Sequence, residues 1–264
     1  MVGSSSTIGF RFLVGALYLF LLAPILVVLP LSFASDTMIV FPPTGWSLRW
    51  YEAMFQHEGL MKAFRVSLVL AAVVTVISLG AGLPAAYALK RYTFTGRDAL
   101  TNLFTAPLLL PTIVLGLSIL LVFVKLNLLG TFPGLVVAHL VITTPYVVRI
   151  MSTALSTLPP SVEEAATMLG ATPFKVFTRV TLPLMMPGLI ASAALAFLLS
   201  FDEVVISLFI TGPRISTLPV EIFNYVESKT DPLIAAVSVV LVAATLAVVL
   251  LVERSIGFSK AMVK

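Results

Sequence analysis

The sequence contains no cysteine, which excludes disulfide bonds, thiolate catalysis and cysteine-ligated metal sites. Charge is also scarce, because Asp, Glu, Lys and Arg together supply only 11% of the 264 residues. A soluble domain carries roughly 25%. Hydrophobic residues make up 59% of the chain, so water is not its main solvent. The composition therefore predicts a protein embedded in a membrane.

The chain also lacks the short patterns of several enzyme classes. No G-x-x-x-x-G-K-[ST] phosphate loop occurs, so we do not expect this chain to bind ATP by that route. No G-x-S-x-G nucleophile elbow occurs, which argues against an intramembrane hydrolase. His57 has no metal-ligand partner at a useful spacing. His139 lies in an apolar run, where we expect a hydrogen-bonded helix contact; the alternative is a proton relay. We therefore expect a non-catalytic chain that binds no metal.

Six apolar runs are long enough to cross a hydrocarbon core of roughly 30 Å as helices. They occupy residues 12–34, 63–89, 103–124, 132–155, 187–211 and 233–252. The first run is too long for a cleavable signal peptide and is interpreted as an uncleaved helix. Pro107, Pro111 and Pro145 predict kinks that neighbouring helices satisfy. The fold class is therefore predicted to be all-α integral membrane, with six transmembrane helices.

The basic residues predict the orientation of these spans. With the N-terminus in the cytoplasm, the cytoplasmic side holds Arg11, Lys90, Arg91, Arg97, Arg149, Lys175, Arg179, Arg254, Lys260 and Lys264. The outer side holds Arg49, Lys62, Arg65, Lys125, Arg214 and Lys229, together with acidic residues that cancel their charge. Both termini are therefore expected in the cytoplasm. The surplus of positive charge indicates topology rather than a nucleic-acid site.

The loop at 156–186 is too polar to span a membrane and is patterned as a pair of short helices. Ser161 and Glu164 fit a capping box that would begin the first helix at Val162. Gly170 fits a left-handed stop at the end of that helix. Thr172 and Pro173 then fit the cap and first position of a second helix. Phe174 and Phe177 are predicted to share one face of it, beside a basic pair, Lys175 and Arg179.

The same loop carries a pattern with fixed spacings. Glu164-Ala165-Ala166, Gly170 and Val180-Thr181-Leu182-Pro183 resemble the EAA motif of ABC importer permeases, with Val180 in place of the usual isoleucine. In that family the motif forms a coupling helix, which sits in a cleft of the ATP-binding subunit and transmits its closure to the membrane. The resemblance implies a coupling role for Glu163, Glu164, Ala165, Ala166, Gly170, Phe174, Lys175 and Pro183. ATP and Mg would then be bound by the partner subunit.

The resemblance extends over most of the chain. Segments 41–51, 82–89 and 200–213 are similar to the spermidine/putrescine permease branch of type I importers. The resemblance implies a type I permease fold in the bacterial inner membrane. It also implies two ATP-binding subunits, a second, similar permease chain and an extracytoplasmic solute-binding protein. We expect a first helix and outer loop at 1–62, a permease domain at 63–252 and a cytoplasmic tail at 253–264.

Two adjacent acids, Asp202 and Glu203, lie in the fifth apolar run. Asp202 is about fifteen residues into it, which in a helix is about 22 Å from the cytoplasmic side. Charged residues at such depth usually face a pathway or a partner. The pair is predicted either to attract a cationic solute, such as spermidine or putrescine, or to form a structural contact, for example to Arg214. A zwitterionic solute such as 4-aminobutyrate or an opine would also suit these two acids. The alternative function, from another class of protein, is a proton-driven secondary transporter.

Overall fold

A computed structural model describes residues 4–262, with side chains described from Gly9 to Arg254. This part of the chain is almost entirely helical. The helices are α1 Ser4–Ser32, α2 Arg49–Gln56, α3 Glu58–Arg91, α4 Arg97–Thr105, α5 Thr112–Leu126, α6 Phe132–Ser156, α7 Pro160–Met168, α8 Pro173–Val176, α9 Leu182–Leu184, α10 Met186–Phe201, α11 Val205–Ile210, α12 Leu218–Ser228 and α13 Leu233–Met262. A 3-10 turn, Ala106–Leu109, follows α4, and a π-helical turn, Phe177–Thr181, joins α8 to α9. The predicted tail at 253–264 ends outside the described residues.

Four of these helices are long and apolar enough to cross a membrane without interruption. Their qualifying segments are Gly9–Ser32, Glu58–Arg91, Phe132–Ser156 and Leu233–Arg254. Two further pairs of helices qualify when each bent pair counts as one span. The described residues therefore contain four to six candidate spans, and the third and fifth predicted spans are broken rather than straight. The fourth span, α6, continues through Pro145 as one helix.

The break in the third span lies at Pro111. Arg97–Leu109 and Thr112–Leu126 meet at an angle of 109°, so residues 103–124 do not form the single kinked helix predicted from the sequence. Proline lacks a backbone N–H and disfavours helical geometry in the residue before it. Leu110 is accordingly extended, with φ −92° and ψ 140°. The predicted kink is therefore a sharp turn, after which α5 begins.

The fifth span is bent at its start and interrupted near its end. Pro173–Leu184 and Met186–Phe201 meet at 71°, so the coupling-loop segment leads directly into the span. The helix then stops at Phe201, and α11 begins only at Val205. Residues 187–211 are therefore not one helix. The interruption coincides with Asp202 and Glu203, the only charged residues in that run.

The described residues divide into two compact units, one of residues 4–61 with 222–244 and one of residues 62–221 with 245–262. In the larger unit, α3 and α6 contribute to two buried apolar clusters. The first joins them to α5 and α11 through Leu70, Val74, Leu115, Ile119, Phe123, Leu135, Ala138, Ile206 and Ile210. The second joins them to α10 and includes Ala86, Leu89, Val147, Met151, Leu155 and Ala196. These clusters hold the two broken spans against the continuous helices.

Candidate functional site

The coupling-type loop contains the predicted helix pair, but its first helix starts earlier than predicted. It begins at Pro160, after an extended Pro159, and no side chain caps it. Ser161 therefore lies in the first turn, and the predicted capping box with Glu164 is wrong. Proline explains the shift, because its fixed φ suits the first helical position and its missing N–H needs no cap there.

The turn between the two helices matches its prediction. Gly170 has φ +84°, and its N–H donates to the carbonyl of Thr167 at 2.9 Å. The N–H of Ala171 donates to the carbonyl of Ala166 at 3.1 Å. Thr172 is extended and Pro173 is the first residue of α8, although the Thr172 side chain makes no capping bond. Left-handed geometry of this kind is ordinary for glycine and strained for other residues.

The tip of the loop exposes large apolar side chains. Met168 and Leu169 are each 89% exposed and Phe174 is 76% exposed, while Glu164 and Lys175 beside them are also exposed. Phe177 packs its ring 5.1 Å from that of Tyr87, so of the two phenylalanines predicted to share a face only Phe174 is exposed at the tip. An exposed apolar tip of this kind suits insertion into a groove of another protein.

Glu163 faces inward, in contrast to Glu164. Its carboxylate lies 2.6 Å from the Arg91 guanidinium and accepts a hydrogen bond from the Thr181 hydroxyl at 2.5 Å. Arg91 also donates to the carbonyl of Leu158 at 3.0 Å. These contacts attach α7 to the end of α3 and to the π-helical turn. The contact of Arg91 with Glu163 was not predicted from the sequence. The sequence shows Arg91 only as one of two adjacent basic residues at the end of the second span.

The acidic pair lies at the break in the fifth span. Asp202 follows the last residue of α10 and is exposed. Glu203 is partly buried, and its Oε1 accepts a hydrogen bond from the backbone N–H of Ile206 at 2.8 Å, which helps to start α11. The run was predicted to be helical at both acids, but neither residue is helical. Among the described side chains, neither acid forms an ion pair with Arg214 or with any other base.

Glu203 also lines a cavity that adjoins both broken spans. The cavity has a volume of about 210 Å³, and its walls include Pro107, Leu110, Thr112, Tyr146, Leu199 and Glu203. Pro107 and Leu110 precede the Pro111 break, whereas Glu203 lies in the break of the fifth span. The side chains with polar groups in its wall are Glu203, Tyr146 and Thr112, which supply one carboxylate, one phenol and one hydroxyl. Such a site favours a small ligand with positive charge.

His139 joins the two helices on either side of that break. It is fully buried in α6, with Nδ1 2.9 Å from the Ser200 hydroxyl and Nε2 3.0 Å from the Ser207 hydroxyl. Ser200 belongs to α10 and Ser207 belongs to α11. The hydrogen-bonded helix contact predicted for His139 is therefore confirmed. In the described part of the chain, no three His, Asp or Glu residues are grouped as metal ligands.

Comparison with known proteins decides the family. The sequence profile of the family described as "Binding-protein-dependent transport system inner membrane component" matches residues 78–258. The chain belongs to this family. It is therefore a membrane-embedded permease subunit of a transport system rather than an enzyme, and it resides in the inner membrane. The matched residues include the coupling-type loop, both broken spans and His139.

Individual relatives and solved structures agree with this family. The chain is 38% identical over 234 residues to the putrescine transport system permease protein PotI of Escherichia coli, covering 86% of this chain and 83% of the relative. It is 31% identical over 235 residues to the spermidine/putrescine transport system permease protein PotC of the same organism, covering 89% of each. A bacterial ABC transporter involved in alginate import shares the fold, with a TM-score of 0.74 at 17% identity over 96% of this chain and 98% of that chain. The type I permease fold expected from the sequence is confirmed.

Proposed function

We propose that this permease moves a small organic cation of the polyamine class, such as putrescine or spermidine, through a pathway lined by Glu203. The putrescine permease and the spermidine/putrescine permease named above support this substrate class. The cavity beside Glu203 supports it independently, because it contains a carboxylate and no basic side chain. An ammonium group entering a low-dielectric cavity is attracted by such a carboxylate. Asp202, which is exposed, serves as an outer contact for the same cation.

The energy for transport enters through the α7–α8 loop. Its exposed tip, formed by Met168, Leu169 and Phe174, docks into an ATP-binding partner, with Glu164 and Lys175 as polar contacts. Ala165 and Ala166 are small enough for close approach. Glu163 acts differently from Glu164, since its carboxylate holds α7 against α3. Pro183 lies in α9, the short helix through which the loop leads into the fifth span.

The working importer contains two ATP-binding subunits that hold ATP and Mg, a second permease chain and an extracytoplasmic binding protein. The solved alginate transporter in complex with a periplasmic protein supports an assembly of this kind. Both termini are cytoplasmic, as the distribution of Lys and Arg predicts. The segment at 63–252 forms the permease domain. Most α1 side chains at 9–30 are exposed, which is consistent with a contact to lipid or to the second permease.

The test is uptake of labelled putrescine and spermidine by cells that express the complete importer. Glu203→Gln keeps an oxygen that accepts from Ile206 but removes the charge, so we expect tenfold or greater loss of uptake with normal assembly. Asp202→Asn should have a smaller effect because the side chain is exposed. Glu227→Gln is the matched control, since Glu227 is an exposed acid outside the cavity. Unchanged uptake in Glu203→Gln would refute the pathway assignment.

A second substrate class is supported by another relative. The chain is 31% identical over 237 residues to a putative 2-aminoethylphosphonate transport system permease protein of Salmonella paratyphi A. Its named solute is a zwitterion, as are 4-aminobutyrate and the opines. Unlabelled 2-aminoethylphosphonate and 4-aminobutyrate should therefore be included as competitors. If either displaces the label more strongly than putrescine does, the zwitterionic class replaces the polyamine class while the permease assignment remains.

A further inference from the structure

A second cavity lies where α3 ends, α4 begins and α6 passes close to both. It has a volume of about 370 Å³ and is distinct from the cavity that contains Glu203. Leu89 and Val148, both buried, form an apolar part of its wall. Its charged lining residues are Lys90, Arg97, Asp98 and Arg149. No part of the proposed pathway or coupling loop uses these side chains.

The charges of this cavity are unbalanced. Three basic side chains face one acidic side chain, which leaves two positive charges in excess. In the described part of the chain the one ion pair is Arg91–Glu163, so Lys90, Arg97 and Arg149 have no acidic partner within 4.0 Å there. A concave surface lined by basic residues attracts anions.

The remaining polar lining does not neutralise this charge. Four of its hydroxyl groups donate to backbone carbonyls of their own helix, at distances from 2.8 to 3.0 Å; they belong to Thr101, Thr105, Thr153 and Ser156. The donors available to a ligand are therefore the guanidinium and ammonium groups and the hydroxyl of Ser152, which makes no hydrogen bond in the described part of the chain. Guanidinium groups match the oxygens of a phosphate in pairs, whereas an ammonium binds it as a point charge.

The position of α4 indicates where such a phosphate comes from. Arg97–Leu109 lies at 109° to Thr112–Leu126, so when α5 crosses the bilayer this segment runs along the membrane surface. Leu100 and Leu103 of α4 are 42% and 67% exposed, as expected of an interfacial helix that contacts acyl chains. Basic pockets at this level between membrane helices hold the head groups of anionic lipids.

We propose that the cavity lined by Lys90, Arg97 and Arg149 binds the phosphate group of an anionic phospholipid. The phosphate lies between the two guanidinium groups and the Lys90 ammonium, and the acyl chains pass over Leu100 and Leu103. This site depends on the membrane setting of the chain and not on the solute pathway. If the lipid site were disproved, the proposed transport function would therefore still stand. If the transport function were disproved, the lipid site would still stand.

The experiment measures phosphatidylglycerol binding to the purified complete importer by native mass spectrometry. The pocket variant is Lys90→Gln/Arg97→Gln/Arg149→Gln. The matched control, Lys62→Gln/Arg65→Gln/Lys125→Gln, removes the same charge from exposed residues outside the cavity. Asp98→Asn is a third variant that raises the positive charge of the cavity without deleting a base. Melting of each complex verifies that it is folded.

We expect the pocket variant to bind phosphatidylglycerol at least about tenfold more weakly, because each basic residue near an anionic surface contributes appreciably. The control should bind like the wild type, and Asp98→Asn should bind severalfold more tightly. Equal binding by the pocket variant and the control, with no gain in Asp98→Asn, would overturn the proposal.

A second arm separates lipid from soluble phosphate. The complexes are placed in phosphatidylcholine nanodiscs, and inorganic phosphate or glycerol 3-phosphate is added. No change in melting temperature is expected if the phosphate must be carried by a lipid. If these soluble anions stabilise the wild type and the control but not the pocket variant, while phosphatidylglycerol has no effect, the lipid assignment is overturned in favour of a soluble phosphate.

Discussion

The Arg91 guanidinium and the Glu163 carboxylate approach to 2.6 Å, which connects the end of α3 to the first turn of α7. Only 14% of the Arg91 side chain and 12% of the Glu163 side chain are exposed. Removing one partner of such a pair leaves a charge that is largely shielded from water. The adjacent Glu164 has no such partner among the described residues, so two neighbouring acids have separate roles.

We predict that Glu163→Gln and Arg91→Gln each reduce both stability and uptake. Loss of one partner from a buried ion pair costs about 3–5 kcal/mol, and the partial exposure here places the expected loss at about 2–3 kcal/mol. Melting of the purified complex and substrate-stimulated ATP hydrolysis are the measurements. The double variant should lose less than the sum of the two single variants.

Glu164→Gln is the control for the Glu163 and Arg91 variants. We expect its melting temperature to be unchanged, because Glu164 is exposed, while ATP hydrolysis becomes uncoupled from uptake. A melting loss in Glu164→Gln equal to that in Glu163→Gln would show that the two acids are not divided between docking and positioning.

His139→Leu should destabilise the larger unit and weaken uptake. The change removes two hydrogen bonds and leaves the Ser200 and Ser207 hydroxyls buried without partners, at a cost of roughly 1–3 kcal/mol for each unsatisfied group. Melting and uptake of the complete importer are measured. Adding Ser200→Ala and Ser207→Ala should recover much of the stability, because no polar group is then left unpaired. If the triple variant is no more stable than His139→Leu, packing of the ring rather than its hydrogen bonds is what matters.

Gly170→Ala tests the left-handed turn of the coupling loop. A Cβ at this position meets no atom within 4 Å, so the expected cost is backbone strain of about 1 kcal/mol. Gly96→Ala is a matched control, since Gly96 has φ +91° and equally open surroundings. Both variants should lose similar stability in melting experiments, but only Gly170→Ala should reduce substrate-stimulated ATP hydrolysis. A similar decrease in both variants would contradict a special role for the turn.

The loop between α1 and α2 should keep its conformation down to about pH 4. Thr44 donates its hydroxyl and its backbone N–H to the Asp36 carboxylate, which lowers the pKa of Asp36 below 3.8. The pKa of Asp36 is lower in the folded chain than in the unfolded chain, where it is about 3.9. The stabilisation from its two hydrogen bonds is therefore fully present above the pKa of the unfolded chain. It is lost as the pH falls through the pKa of the folded chain. Trp50 donates to the Asp36 carbonyl at 3.2 Å and provides a fluorescent reporter in a Trp46→Phe background. We expect constant fluorescence from pH 8 to about pH 4, with a transition below it that Asp36→Asn abolishes.

The sequence predicted the long elements and missed their interruptions. Apolar runs at 132–155 and 233–252 correspond to α6 and α13 because hydrophobic length alone determines a membrane helix. The break at Asp202 was not predicted, since it depends on the Glu203 carboxylate turning back to a backbone N–H. The inward direction of Glu163 was likewise hidden, because its partner Arg91 lies 72 positions earlier in the chain. A contact between residues this far apart in the sequence produces no recognisable pattern in the sequence around either residue.

The hydrogen bonds from His139 to Ser200 and Ser207 affect how the chain enters the bilayer during synthesis. Acidic residues within a membrane segment oppose its insertion, and α10 has only sixteen residues before Asp202. The segment containing α10 and α11 is thus a poor candidate for independent insertion. α6 is made earlier and presents both ring nitrogens of His139 before Ser200 and Ser207 emerge. The order of the helices along the chain therefore supplies a polar docking point in advance, and the fifth span is expected to enter the membrane alongside the fourth.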